Sequence, residues 1–197
     1  PYYCNFGTTA SAAVPFSWNL NSSKAYAIVN TAAFTTTVRG ATTTYPVGTY
    51  LAFFRSTSSY TNGQNYTLTL PGRGQITGTV YYNAAIETGN WYGWNAKAGT
   101  VQTVEFLDKI APINTYRWFR DFTQLRFFYT NGNLDTSRCC NMQEMFYNCN
   151  VLQSLDLSDL DVGMVYTMFY MFTYCQAMTS VNLHGWNPVR LAQMGHF

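Results

Sequence analysis

Met142 to Ser158 reads MQEMFYNCNVLQSLDLS, and two periodicities follow one another within this stretch. Met142, Met145, Phe146, Cys149 and Leu152 stand at i, i+3, i+4, i+7 and i+10, the spacing of one face of a helix. Leu155 and Leu157 then alternate with Ser154, Asp156 and Ser158, the spacing of a short strand with one apolar side. The stretch predicts a helical turn segment running into a strand.

Outward from it, the pattern returns 26 residues later: Met142 recurs as Met168 and Met194, Phe146 as Phe172, Cys149 as Cys175, Leu155 as Val181 and Leu157 as Leu183. The connecting segments repeat as well, with Leu134, Leu160 and Trp186 in one column and Asp135, Asp161 and Asn187 in the next. A shift of 27 recovers an earlier, degenerate copy in Trp118, Phe119, Phe122, Leu125 and Phe128, which reads as a cap. A helix and a strand at this period are the signature of a leucine-rich-repeat-like solenoid, in which each copy buries its apolar edge against the next. Residues 113–197 hold about three such 26-residue copies. Phe197 falls on a Met column of a further copy, which predicts either a longer native chain or an end covered by another subunit.

At these residues the chain resembles the BspA-like leucine-rich-repeat surface proteins, a pattern also described from mycoplasma-type lipoproteins as a domain of unknown function. The family pattern runs roughly M-x-x-M-F-x-x-C-x-x-L-x-x-L-D-L-S. Met142 to Ser158 matches it at every marked position, whereas the next copy departs at Met178, Val181, Asn182 and His184. The resemblance covers about residues 115–197. It implies an extracellular or surface-displayed solenoid that binds macromolecules or cell surfaces, with relatives among phage structural and fibre proteins, and it implies no enzymatic activity.

The first part of the chain has a different alphabet. Residues 1–86 hold no Asp or Glu, and their only charges are Lys24, Arg39, Arg55 and Arg73. Runs at Lys24 to Asn30, Tyr50 to Ser56, Tyr66 to Leu70, Gln75 to Tyr82 and Val101 to Leu107 are rich in β-branched and aromatic residues and are separated by Gly, Pro and Asn. Residues 1–112 are therefore read as an antiparallel β domain of sandwich type. Asn62-Gly63 predicts a hairpin turn between the run ending near Arg55 and the run beginning near Tyr66. All seven Met residues lie at 142 or later, so the composition changes beyond Pro112. The expected fold class is mainly β, with α+β repeats following the β domain.

Charged residues make up 10% of the chain, against roughly 25% in an ordinary soluble protein. A net charge of +2 with no run of like charges argues against nucleic acid as a partner. No stretch approaches the roughly eighteen apolar residues of a membrane span. The chain opens at Pro1 without an initiator Met or a signal-peptide pattern, which predicts further sequence upstream.

The five cysteines, Cys4, Cys139, Cys140, Cys149 and Cys175, contain no C-x-x-C pair, so no metal site and no cofactor are expected. Cys149 and Cys175 share a repeat column and read as stacked core residues, with a disulfide between them left open, and Cys140 has no column partner and is open to exposure. Asp156, Asp159 and Asp161 invite a calcium reading, but Asp161 repeats as Asn187, which fits capping of local amides better. Glycoside hydrolysis would need paired carboxylates, and only Glu87, Glu105 and Asp108 are on offer from the β unit.

Two surfaces are the candidates for binding. The outward residues of the repeat strands form columns, Phe127, Ser154 and Ser180, then Tyr129, Asp156 and Asn182, then Asn131, Ser158 and His184. From these, Phe127, Tyr129, Asp156, Asn182 and His184 are the expected binding residues. Trp91, Tyr92 and Trp94, in a Gly- and Asn-flanked segment, either stack on a sugar or protein partner or pack inward as a core plug. The expected function is a non-enzymatic structural or adhesion protein at a cell surface or on a virion, with a protein or glycan as partner. An assembly component of a phage fibre or capsid, with neighbouring virion subunits or further copies of itself as partners, is the second reading, and a carbohydrate-binding module the third.

Overall fold

The computed structural model describes residues 23–82 and 93–197. Trp91, Tyr92 and Glu87 lie outside the described residues.

The chain is mainly β. The strands are β1 (Lys24–Asn30), β2 (Phe34–Val38), β3 (Ala41–Tyr45), β4 (Tyr50–Ser56), β5 (Gln64–Leu70), β6 (Gly74–Tyr81), β7 (Thr103–Phe106), β8 (Phe127–Tyr129), β9 (Ser154–Asp156) and β10 (Ser180–Asn182). A six-stranded sheet runs in the order β5-β6-β1-β4-β7-β8, with β2-β3 and β9-β10 as separate pairs. The sheet is mixed: β5, β6, β1 and β4 pair antiparallel, whereas β4-β7 and β7-β8 are parallel. The wholly antiparallel expectation fails at β7, because the chain returns to the sheet through a long crossover past Gly93–Lys97 and not through a hairpin.

The Asn62-Gly63 hairpin is also corrected. β4 does not pair with β5; Gly63, at φ 78°, instead turns the chain onto β6, its amide donating to Val80 O. The tight hairpins lie elsewhere. Arg39 and Gly40, at φ 47° and 83°, make a two-residue turn between β2 and β3, matching the twist that favours two left-handed residues. Pro71-Gly72-Arg73 joins β5 to β6, with Gly72 at φ 67°.

Alternation along the central strands divides the core in two. Tyr26 and Ile28 of β1 with Tyr50, Ala52 and Phe54 of β4 face the β2-β3 hairpin, where Tyr45 meets Tyr50 at 4.8 Å between ring centroids. Ala27, Val29, Leu51 and Phe53 face the other way. There Phe53 stacks on Phe106 at 4.5 Å and on Trp118 at 5.6 Å. This second core runs without a break across Pro112, through Phe119 and Phe146 to Met168 and Met171.

Beyond β7 the chain stacks on itself in parallel. β9 and β10 pair Ser154 with Ser180 and Asp156 with Asn182, and isolated bridges join Asn114 to Asn141, Asn141 to Thr167 and Thr167 to Gln193. Each corner is held by a side chain capping an amide two residues on: Asn114 caps Tyr116, Asn141 caps Gln143, Asp135 caps Ser137 and Asp161 caps Gly163.

The helical half of the expected repeat is corrected: no α-helix occurs among the described residues. The segment from Met142 to Leu152 is a run of tight turns, each closing an i to i+3 bond, as from Met145 N to Met142 O and from Cys149 N to Phe146 O. Glu144 and Asn148, at φ 55° and 61°, reverse the winding before a helix can propagate. The amides of Met142, Glu144, Phe146 and Asn148 donate instead to Thr167, Phe169, Met171 and Thr173 in the next copy, at 2.8–3.0 Å. Amides bonded to a neighbouring segment cannot also close an i to i−4 helical ladder.

Candidate functional site

Phe127, Tyr129 and Asp156 line one groove of about 320 Å³ on the outward face of β8 and β9. The strands place them there by alternation, since Phe128 and Leu155 between them point into the core. The groove lies where the hydrogen-bonded sheets divide, with β8 paired to β7 and β9 to β10. Phe127 is 52% exposed, and its ring runs nearly parallel to that of Tyr129 at 6.2 Å.

Two arginines also line the groove. Arg39, at the tip of the β2-β3 hairpin, lies 4.8 Å from the centre of the Tyr129 ring in a cation–π contact. Arg126 precedes β8 and is exposed. Neither guanidinium has a hydrogen-bond or ion-pair partner among the described residues.

The groove carboxylates, in contrast, are engaged. Asp156 accepts from the Ser158 hydroxyl at 2.7 Å, the Ser158 amide at 3.1 Å and Asn182 Nδ2 at 3.0 Å. Those Ser158 bonds, then Asn182 and the nearby Arg39 charge, hold its carboxyl below the usual carboxylate range. Asp159 accepts from Thr130 Oγ1 and from the Gly132 amide. Asp161 caps Gly163, so the three aspartates serve their own backbone and neighbours, and no group of three metal-binding side chains occurs among the described residues.

Behind the groove lies a buried polar cluster. Glu105 of β7 is fully buried and accepts from Tyr50 Oη at 2.6 Å, Arg73 Nε at 2.8 Å and Asn131 Nδ2 at 3.0 Å. Burial pushes the Glu105 carboxyl up, but the bonds from Arg73, Tyr50 and Asn131 outweigh it and hold the carboxyl below its ordinary value. Asn131 also belongs to the groove wall, so the cluster braces the site from beneath. Asp108 accepts the Arg55 amide at 2.9 Å. Glu105 and Asp108 are thus both spent on structural bonds.

Asn182 and His184 are exposed beside the groove, and the Asn182 side chain is bonded to Asp156 and to the His184 amide. Trp94 is corrected as a binding residue: it is fully buried, its Nε1 donates to Trp118 O at 3.0 Å, and its ring meets Phe53 edge-on. Trp94 takes the inward option because an indole offers the core a large apolar area and one donor that Trp118 O satisfies. Arg39, Arg126, Thr130, Gly132 and Asp159 also line the groove, and sequence reasoning did not place them there. For Arg39 the available signal was Val38-Arg39-Gly40-Ala41, a two-residue hairpin turn.

Cys139, Cys149 and Cys175 are free thiols, and Cys140 is disulfide-bonded and buried, not exposed. Cys149 donates to Phe119 O at 3.2 Å and Cys175 to Phe146 O at 3.1 Å, the same bond made in successive copies. Burial pushes the Cys139 thiol up to about 11 and raises that of Cys149 as well.

No helix among the described residues is long and apolar enough to cross a membrane. No curated protein and no solved structure matches the chain. Residues 114–197, less than half of the chain, match the family described as a Mycoplasma protein of unknown function, DUF285.

Proposed function

We propose that the chain is a non-enzymatic binding module displayed at a cell surface or on a virion, whose residues 113–197 form a short leucine-rich-repeat-like solenoid of the BspA-like type behind the β domain. The observation that carries this is the groove: outward columns from β8 and β9 meet an exposed aromatic ring and two unpaired guanidinium groups in one concave face. Concave faces with convergent polar groups on stacked repeats are suited to macromolecular ligands. The repeat of the same side-chain-to-backbone bonds in successive copies supports the solenoid reading. The disulfide through Cys140 supports an oxidising, extracellular location.

The test is to immobilise the chain and pass matrix proteins, glycans and intact cells over it. Saturable binding without turnover of the bound molecule is expected. Chemical conversion of a bound glycan or peptide would overturn the reading.

A second reading, an assembly component, has its own support. Tyr174, Val189, Met194 and Phe197 are exposed on the last copy, and Phe172, Met178 and Leu191 there are only partly buried. Apolar area of that kind is suited to a subunit interface. Light scattering separates the two, since a stable oligomer through this face favours assembly and a monomer favours the displayed module.

A further inference from the structure

We infer that the groove takes an acidic glycan, a sugar carrying a carboxylate or sulfate group, held by Arg39 and Arg126 and stacked on Phe127. This inference rests on the binding-module reading and names its ligand class.

The argument begins with which groups in the groove still have bonding capacity. Asp156 accepts three bonds and Asp159 two, all from this chain. Arg39 and Arg126 each carry five N–H donors, and none is bonded to another described residue. The unmet demand is for an acceptor, and a planar oxyanion meets a guanidinium fork with two parallel bonds. Tyr129 positions one fork, because its ring face holds the Arg39 guanidinium at 4.8 Å.

The remaining lining favours a sugar over a peptide. The Phe127 ring lines the groove, is about half exposed and runs nearly parallel to Tyr129, a surface on which a sugar ring can stack. Ser154 adds a hydroxyl, and Ser158 Oγ and Asn131 Oδ1, whose donors are used within the chain, add acceptors suited to ligand hydroxyls. An extended peptide would instead add by main-chain bonds along the open edges of β8 and β9, and the test sets one against the sugars.

The test is calorimetric titration of the whole chain with four probes: sialyllactose for a carboxylate, a sulfated disaccharide for a sulfate, neutral lactose, and a polyglutamate peptide. Wild type is expected to bind at least one of the two acidic sugars about ten-fold or more tighter than lactose, and Arg126→Gln to remove that preference. Arg39→Gln should do the same, and Arg126 lies outside any strand, so unchanged melting of the Arg126→Gln variant keeps the test clean. Equal binding of lactose and the acidic sugars, lost in Phe127→Ala but not in Arg126→Gln, would overturn the acidic preference and leave the binding-module reading standing. Tighter binding of polyglutamate than of either acidic sugar would overturn the glycan assignment. Absence of binding to all four probes would overturn the inference, and the cell and matrix screen would then decide the broader reading.

Discussion

Arg73 Nε donates to Glu105 Oε2 at 2.8 Å while Arg73 Nη2 pairs with Oε1, so the tip of the β5-β6 hairpin is bound to the centre of β7. The carboxylate is fully buried and the Arg73 side chain partly so, at 15% exposure. With Tyr50 and Asn131 completing its partners, this pair ties β4, β7 and the groove wall into one unit.

Removing one member of such a pair leaves a buried charge without its partner. Arg73→Met is expected to cost about 3–5 kcal/mol, read from the urea midpoint. Adding Glu105→Leu to it should restore much of the loss, because the stranded carboxylate is then gone. A single variant that costs less than about 1 kcal/mol would show that the pair is solvated.

The same carboxylate makes stability depend on pH. Its folded value lies below the unfolded one, so the unfolded chain binds more protons in the acid range and stability rises with pH there. Asp135 and Asp156 are shifted in the same direction. The melting temperature should hold steady down to about pH 5, near the unfolded carboxylate range, and fall steadily below it. Glu105→Gln should start less stable and lose less on acidification. A melting profile that is flat to pH 3 contradicts the assignment.

The thiols give a mass test. With a disulfide through Cys140, denatured but unreduced protein should take up three alkyl groups on its five cysteines. In the native state Cys139 and Cys149 should label slowly, since burial raises both thiols, Cys139 to about 11, and leaves little thiolate at neutral pH, whereas the half-buried Cys175, whose thiol is lowered by its contact with Cys149, should label first. Uptake of five groups without reductant would remove the disulfide and with it the support for an oxidising location.

Trp94 separates core from site. Trp94→Ala is expected to cost about 3–5 kcal/mol, because the buried indole packs edge-on against both Phe53 and Trp118. At temperatures where the variant remains folded, groove binding should match wild type. Loss of binding with little loss of stability would place Trp94 in the site after all.

Much of this was legible in the sequence, and particular residues show why the rest was not. The columns pairing Ser154 with Ser180 and Asp156 with Asn182 could be read directly, because period two fixes which side chains share a face. The Met142 to Leu152 segment misled, because consecutive i to i+3 turns place apolar residues at the same spacings as a helix. Only the left-handed Glu144 and Asn148 separate the two conformations, and neither is a glycine. Strands β2 and β3 escaped because FTTTV and ATTTY are largely Thr, whose outward side chains pair across the strands, as in Thr35 with Thr44, and carry little apolar pattern. Arg39 could not be assigned to the groove from sequence, since the hairpin that delivers it lies far along the chain from Phe127 and Tyr129. The Glu105 cluster likewise depends on tertiary contacts between β4, the β5-β6 turn and β7.

The most direct test of the central claim compares two exposed aromatic residues on different faces, Phe127 in the groove and Tyr174 on the last copy. Binding of wild type, Phe127→Ala and Tyr174→Ala to one cell-surface preparation should be measured side by side. The groove account predicts that Phe127→Ala weakens binding about ten-fold or more while Tyr174→Ala leaves it unchanged. Loss of binding in Tyr174→Ala with Phe127→Ala unaffected would contradict it and move the functional surface to the last copy.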